Sequence, residues 1–217
     1  MSEPLGLFGG TFDPVHFGHL RLAEEAIDQL ALGGVRWIPA GQPAHRRPPR
    51  VSAGQRLAMV RLAVAGNSGF SVDAAEVEAA VPSYTVPTLE RLRAELGADR
   101  PLVLLLGADA LAGLESWHRW RELFALAHIA VAHRPGFPVT AATLPPALAA
   151  ELVARQRDDM GGLRAAPAGS IVTFAMTQLA ISATQIRQLQ AAGRSARYLL
   201  PDNVLDYIQT HSLYRNS

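Results

Sequence analysis

Apolar residues recur along this chain in two different rhythms. Short apolar runs bounded by glycine or proline indicate buried strands, whereas apolar residues spaced three or four apart indicate amphipathic helices. The runs predict strands at Leu5–Phe8, Val35–Pro39, Phe70–Asp73, Leu102–Leu106, Ile129–Ala132 and Ile171–Phe174. The helical spacing predicts helices at about Gly18–Leu30, Ala53–Ala65, Val86–Leu96, Ala110–Leu114, Trp120–Leu126, Leu148–Arg157, Thr184–Ala192 and Asn203–Gln209.

The alternation of strand and helix predicts an α/β fold, a doubly wound parallel sheet with helices on both faces. Gly9, Gly41 and Gly107 follow the ends of predicted strands, so we expect them to meet at the sheet edge where such folds bind ligands. No repeat or long linker interrupts the pattern. We therefore expect a single domain over residues 1–217, with a surface excursion at about 135–168 where the pattern is weakest.

The composition of the chain narrows its chemistry. A net charge of +1 gives no electrostatic reason to expect nucleic acid or a membrane as partner. No apolar run approaches the ~20 residues that span a bilayer, and the first residues lack the basic start of a signal peptide, so we expect the cytoplasm. The sequence has neither cysteine nor lysine, which excludes thiolate catalysis and lysine-based phosphate loops. Phosphate charge must be met by arginine, histidine, backbone N–H groups or a metal.

The first predicted strand leads into the most informative stretch, which runs from Gly9 to His19. The order of strand, glycine turn and helix is typical of a phosphate site, since glycines allow close backbone approach and a helix N-terminus attracts anions. His16 and His19 are three residues apart, so both can lie on one face of the first helical turn. No third ligand lies nearby, so we do not expect zinc.

The His16-Phe17-Gly18-His19 tetrapeptide resembles the T/H-x-G-H mark of the nucleotidyltransferase superfamily, and the chain most resembles its bacterial nicotinate-mononucleotide adenylyltransferases. The resemblance spans nearly the whole chain. It recurs at Ile38–Gly41 with His45, Ser83–Thr85 with Thr88-Leu89, Gly107–Leu111, Trp117–Trp120, Arg134–Gly136, Ile181–Arg187 and the Tyr207–Tyr214 ending.

The resemblance implies a Rossmann-like fold and a defined reaction. The AMP moiety of ATP is transferred to nicotinate mononucleotide, giving nicotinate adenine dinucleotide and pyrophosphate in NAD biosynthesis. Mg²⁺ is carried by the ATP phosphates, and the sequence shows no protein metal cage. The oligomeric state stays open, a homo-oligomer included.

Residue roles carry over from the resemblance in two groups. The first group serves ATP and its phosphates. It consists of Gly9, Gly10, Thr11, Phe12, Ser182, Thr184 and Arg134, with His16, His19 and Arg187 as catalytic residues. Since the attacking phosphate is already anionic, the histidines are expected to stabilise charge rather than act as acid and base. The family often has serine where this chain has Ala183.

The second group serves the mononucleotide and consists of Thr85, Asp109, Trp117, His45 and Arg46. A pyridinium ring can stack on the Trp117 indole, while Trp120 is expected in the core. The family has lysine where this chain has Arg46, which leaves that phosphate contact in doubt. Asp13 and Asp109 either touch ligand or only shape a turn and a helix start.

Two alternatives remain. Phosphopantetheine adenylyltransferases share the histidine motif but are typically shorter and lack the segment from Trp117 to Trp120. A catalytically idle nucleotide sensor would be expected to lose His16 or His19, and this chain retains both.

Overall fold

The structure is a computed structural model that describes residues 2–44, 48–79, 81–157 and 162–215. Its centre is one six-stranded sheet with the strands β1 (Leu5–Gly10), β2 (Gly34–Pro39), β3 (Phe70–Val72), β4 (Leu102–Gly107), β5 (His128–His133) and β6 (Ile171–Ala175). All neighbouring strands are parallel, in the order β3-β2-β1-β4-β5-β6. The predicted α/β class is therefore confirmed.

Helices follow nearly every strand. The α-helices are α1 (Phe17–Leu30), α2 (Ala53–Val64), α3 (Ala75–Glu78), α4 (Thr85–Leu96), α5 (Ala108–Ala112), α6 (Leu123–Leu126), α7 (Pro146–Arg155), α8 (Gly162–Ala165), α9 (Ala183–Ala191) and α10 (Asp202–Thr210). Short 3₁₀ helices lie at Leu114–Ser116, Trp120–Glu122 and Ala141–Thr143. None of the described helices combines the length and apolar character needed to cross a bilayer.

Both faces of the sheet are buried, which explains why the strands read as continuous apolar runs. Along β4, Leu102, Leu104 and Leu106 pack into one apolar cluster, while Val103 and Leu105 pack into another on the opposite face. The helices α1, α2 and α10 cover the second cluster, and α4 and α7 cover the first. Successive side chains of a strand point to opposite faces, so this alternation fixes the strand register.

The structure differs from the sequence-based expectations at several boundaries. The predicted helix Trp120–Leu126 is a 3₁₀ turn followed by α6, and the predicted Ala110–Leu114 helix begins earlier, at Ala108. The excursion expected at about 135–168 is exposed only in part. Leu148 and Leu152 of α7 are buried in the core, because α7 and α8 form the crossover from β5 to β6.

The strand order places the candidate site. β1 lies between β2 and β4. From β1 the chain first adds β2 and β3 on one side and then crosses over to add β4, β5 and β6 on the other side. The carboxyl ends of β1, β2 and β4 lie at one edge, where Gly10, Pro39 and Gly107 are the last strand residues. A crevice at such a switch in strand order is where doubly wound sheets bind ligands.

Candidate active site

The loop after β1 is shaped by a buried aromatic ring. Phe12 adopts a positive φ of 49°, and its ring is 3% exposed, edge-on to Phe8 and His19. A Cβ on Gly10 would lie 2.8 Å from this ring, whereas one on Gly9 would meet nothing within 4 Å. The Phe12 side chain is therefore part of the core, and Phe12, expected among the phosphate-binding residues, has its backbone available for that role. Gly10 is needed for that packing, and Gly9 borders open space.

The two histidines meet at the N-terminus of α1, as their spacing predicts. The rings of His16 and His19 stack with centroids 3.7 Å apart and planes inclined by 29°. His16 is the N-cap residue, and its backbone N–H donates to Nδ1 of His19 at 3.2 Å. This bond leaves the proton of a neutral His19 on Nε2. A Cβ on Gly18 would lie 3.1 Å from the His16 ring, which explains the glycine between the histidines.

Burial fixes the charge state of His16. The residue is 6% exposed, and burial lowers the pKa of its imidazole from 6.5 to about 4. A histidine in such a site is neutral at pH 7 because desolvation penalises the charged form. A neutral imidazole still donates one N–H hydrogen bond, so His16 is suited to donation and poorly suited to carrying a proton between substrates at that pH.

Asp13 connects the histidine loop to the rest of the site. Its Oδ1 accepts from the Tyr214 hydroxyl at 2.7 Å, and its Oδ2 accepts from the backbone N–H of Arg50 at 2.9 Å. Its backbone carbonyl accepts from Nη1 of Arg187 at 2.7 Å. Burial and the neighbouring Asp13 charge raise the pKa of Tyr214, which therefore stays a donor at neutral pH. Both carboxylate oxygens of Asp13 thus accept a hydrogen bond from within the protein.

The second phosphate segment begins with Ser182. Its hydroxyl accepts from the Gln185 N–H at 3.1 Å, so it caps α9. Thr184 in the first turn accepts from Nη2 of Arg187 at 3.0 Å. Asp13 and Thr184 thus hold the Arg187 guanidinium, whose side chain is 27% exposed, beside the histidine loop.

Two cavities flank this segment. One of about 320 Å³ is lined by Arg134, Ser182 and the segment from Met176 to Ile181. Arg134 is exposed there, and the resemblance assigns both it and Ser182 to ATP phosphates. A larger, mostly apolar cavity of about 480 Å³ lies along the outer side of α1, lined by Phe17, Ile181 and Tyr198 among others. Of the residues expected to meet phosphates, Arg134 and Ser182 line the smaller cavity, and none lines the larger one.

The loop after β2 is fastened to the segment that precedes α4. The Ser83 hydroxyl accepts from the backbone N–H groups of Gly41 at 2.9 Å and Gln42 at 3.3 Å. A Cβ on Gly41 would lie 1.9 Å from the Glu76 carbonyl oxygen, so only glycine fits. This loop leads toward His45 and Arg46, which lie outside the described residues. The expectation that they bind the mononucleotide is therefore untouched by the structure.

Sequence reasoning missed Arg56. Its side chain is 1% exposed, and its Nη1 and Nη2 donate to the carbonyls of Thr11 at 2.7 Å and Gly41 at 2.8 Å. It therefore joins the loop after β1 to the loop after β2. A signal exists in the sequence, because Arg56, Val60 and Val64 are spaced four apart and so share one face of α2.

The remaining mononucleotide candidates lie on the segment that follows Ser83 and after β4. Thr85 is the first residue of α4, and the preceding Tyr84 ring contacts His118 at 4.9 Å between centroids. Trp117 is partly buried, whereas Trp120 is 8% exposed and core, as expected. Arg119 forms ion pairs with Glu90 at 2.7 Å and Glu122 at 2.6 Å, which fix the Trp117 segment to α4.

Asp109 lies in the first turn of α5 and is exposed. Gly107, not Asp109, is the N-cap residue of that helix, so the capping interpretation does not account for this carboxylate. A Cβ on Gly107 would meet nothing within 4 Å, which leaves open space at the end of β4. Asp109 is therefore available to a ligand at this edge.

In residues 2–44, 48–79, 81–157 and 162–215, no group of three or more histidine and carboxylate side chains is arranged to hold a metal ion.

Comparisons with known proteins identify the relatives of this chain. Residues 7–189 match the cytidylyltransferase-like family. The chain is 74% identical over its full length, and over the full length of the relative, to a protein of Dechloromonas aromatica named "probable nicotinate-nucleotide adenylyltransferase". A protein of the same name from Pseudomonas putida is 53% identical, covering 97% of this chain and 94% of the relative.

The fold also matches a solved structure. The nicotinic acid mononucleotide adenylyltransferase of Plasmodium falciparum, complexed with NaAD, superposes with a TM-score of 0.73. The match covers 98% of each chain at 14% identity, so it shows a shared fold.

Proposed function

The chain belongs to the nicotinate-nucleotide adenylyltransferases of the cytidylyltransferase-like family, and we propose how its side chains divide the adenylyl transfer. The substrates are ATP and nicotinate mononucleotide. A phosphate oxygen of the mononucleotide attacks the α-phosphorus of ATP, the bond from that phosphorus to the bridging oxygen breaks, and pyrophosphate leaves. No proton needs to be removed from the nucleophile, so the protein's task is alignment and charge stabilisation.

The observation that carries this assignment is the stacked pair of His16 and His19 at the N-terminus of α1, beside Arg187. The pair presents N–H donors where negative charge grows on the α-phosphate and the departing pyrophosphate. A preorganised donor in a site of this kind contributes most in the transition state. The low pKa of His16 supports donation rather than proton transfer.

Arg187 is assigned to the β- and γ-phosphates. Asp13 and Thr184 hold its guanidinium in place before substrate binds, which lowers the entropy lost on binding. The free N–H groups at the start of α9 and the exposed Arg134 add positive potential on the same side. The Gly9 and Thr11 backbone borders the phosphate path.

The mononucleotide is assigned to Thr85, Asp109 and Trp117, with His45 and Arg46 completing the set. Trp117 keeps part of its indole exposed while Arg119 anchors its segment, which suits stacking against a pyridinium ring. Thr85 sits at a helix start, where N–H groups attract a carboxylate. We therefore propose that the acid is preferred over the amide.

Magnesium fits this site as a partner of the substrate. The oxygens of Asp13 are occupied by Tyr214 and Arg50, and the described residues contain no ready cluster of ligands. Mg²⁺ would therefore be held by ATP phosphates and water, where it neutralises phosphate charge. We also propose a single domain, supported by the one continuous sheet, and a cytoplasmic location, which suits a reaction that consumes ATP.

The test is substitution of His19. His19→Ala is expected to lower kcat by roughly 10²–10³ with little change in the KM for the mononucleotide, because the lost bond strengthens only as charge develops. His19→Asn keeps a donor that does not titrate near pH 7 and should recover a substantial part of kcat. If Asn is no better than Ala, and wild-type kcat titrates near neutrality, general acid catalysis replaces this assignment.

A further inference from the structure

Arg56 occupies an unusual position for a charged residue. It lies in the first turn of α2, which Ser52 and Gln55 start with reciprocal capping bonds, and it is only 1% exposed. No carboxylate among the described residues lies within ion-pair distance of its guanidinium. Asp13 lies beyond that distance, although its charge raises the pKa of Arg56 against the lowering effect of burial. A buried cation without a direct ion pair is expensive, so its retention needs a reason.

The contacts of Arg56 supply one. Its two terminal nitrogens donate to Thr11 and Gly41, in the loops after β1 and β2. Because a guanidinium is planar and rigid, these two bonds fix the separation of the two carbonyl oxygens. Lysine has a single ammonium on a flexible stem and cannot reproduce the fork.

The Gly41 end of this link is held from several sides. Its N–H donates to the Ser83 hydroxyl, its carbonyl accepts from Arg56, and the Glu76 backbone leaves no room for a side chain. Ser83 also precedes Thr85 by two residues. The spacing set by Arg56 therefore extends from the Thr11 loop to the residues assigned to the mononucleotide.

We propose that Arg56 is a positioning residue for the mononucleotide, acting by fixing the distance between the Thr11 and Gly41 loops. The inference rests on the proposed placement of the mononucleotide near the Gly41 loop. Arg56 does not touch substrate. One end of its fork holds the Thr11 carbonyl, which borders the phosphate path, so ATP binding should respond weakly. The Arg187 guanidinium that is assigned to ATP is held by Asp13 and Thr184 and makes no bond to Arg56, so the mononucleotide should respond more strongly.

Arg93 provides a matched control. It too donates to backbone carbonyls, those of Leu126 at 2.8 Å and Pro167 at 2.7 Å, and burial lowers its pKa as it does that of Arg56. Arg93 sits at the amino edge of the sheet, since Pro167 also accepts from the Leu102 N–H at the start of β4. Its loss should disturb the fold without touching the candidate site.

The experiment compares Arg56→Lys with Arg93→Lys in the full chain, measuring thermal unfolding and the KM for each substrate. Arg56→Lys is expected to raise the KM for nicotinate mononucleotide by about tenfold or more and the KM for ATP by less than about threefold. Arg93→Lys is expected to lower Tm and leave both KM values within about twofold of wild type.

Three results would overturn the proposal: a wild-type mononucleotide KM in Arg56→Lys, equal rises for both substrates, or the same split in Arg93→Lys. If Arg56→Lys does not fold, Ser83→Ala provides a second test, because it removes the acceptor of the Gly41 N–H. This variant should raise the KM for the mononucleotide about threefold and leave the KM for ATP nearly unchanged. An unchanged mononucleotide KM there counts against the proposal. Failure of the proposed function can be distinguished from failure of the Arg56 proposal, because wild type would then not adenylylate nicotinate mononucleotide. In that case the variants are compared with the acceptor that wild type does use.

Discussion

Lowering the pH should destabilise this protein through His16. The imidazole is buried at the start of α1, and its pKa falls from 6.5 to about 4 because burial disfavours the charged form. Between these two values the unfolded chain binds a proton that the folded chain does not. Stability therefore rises with pH in this window and is lost as pH falls below about 6.5.

The size of the effect follows from the two pKa values. One pKa unit corresponds to ~1.36 kcal/mol, so the shift from 6.5 to about 4 amounts to ~3.4 kcal/mol once the window has been crossed. At pH 5 the same linkage gives a loss of about 2 kcal/mol relative to pH 7.5. That loss is large against the 5–15 kcal/mol, roughly, that stabilises a typical domain.

Urea unfolding of wild type and His16→Gln at pH 7.5 and pH 5 isolates this contribution. Glutamine does not titrate, so the variant should lose about 2 kcal/mol less than wild type over the interval, although it starts less stable. His211→Gln, at an exposed position, is the control and should follow wild type. Parallel losses in wild type and His16→Gln would refute the neutral, buried His16 on which the catalytic assignment depends.

Further predictions concern other parts of the site. Trp117→Ala should weaken mononucleotide binding by ~0.5–2 kcal/mol and spare ATP binding, as measured by calorimetric titration. Trp120→Ala should chiefly lower stability. Equal losses of affinity for both ligands in Trp117→Ala would make Trp117 a core residue. Arg187→Ala should weaken ATP binding as well as kcat, because the β- and γ-phosphates are charged before reaction; an unchanged ATP affinity speaks against that role. Tyr214→Phe should lower the free energy of unfolding by about 1–3 kcal/mol, since it removes a donor from buried Asp13, and an unaltered urea midpoint would count against that hydrogen bond.

Periodic patterns in the sequence predicted most of the fold. All six predicted strands are present, because each is an apolar run buried on both faces of a parallel sheet. Elements of one turn, such as α3 and α8, were missed, since four residues are too few to show a helical period. The α7 helix was predicted, but its burial was not, because the surrounding proline and alanine residues gave no sign of core packing.

Local chemistry in the site was also readable in part. Helical geometry predicts that His16 and His19, three residues apart, lie close together in the first turn of a helix. A serine directly before a helix is typical of an N-cap residue, and Ser182 has that position. The inward turn of the Phe12 ring was not predicted, because a left-handed backbone at that position leaves no sequence pattern. The links from Tyr214 to Asp13 and from Arg56 to Gly41 join distant parts of the chain, so no local signal announces the partner.

The most direct test of the account is the specificity of adenylyl transfer. Pyrophosphate release is measured with ATP and Mg²⁺ and, separately, nicotinate mononucleotide, nicotinamide mononucleotide and phosphopantetheine as acceptors. We predict that kcat/KM for nicotinate mononucleotide exceeds that for the amide by at least about tenfold, or ~1.4 kcal/mol, and that phosphopantetheine is inactive. Equal values for the two mononucleotides would remove the preference for the acid, and pyrophosphate release with phosphopantetheine alone would contradict the account itself.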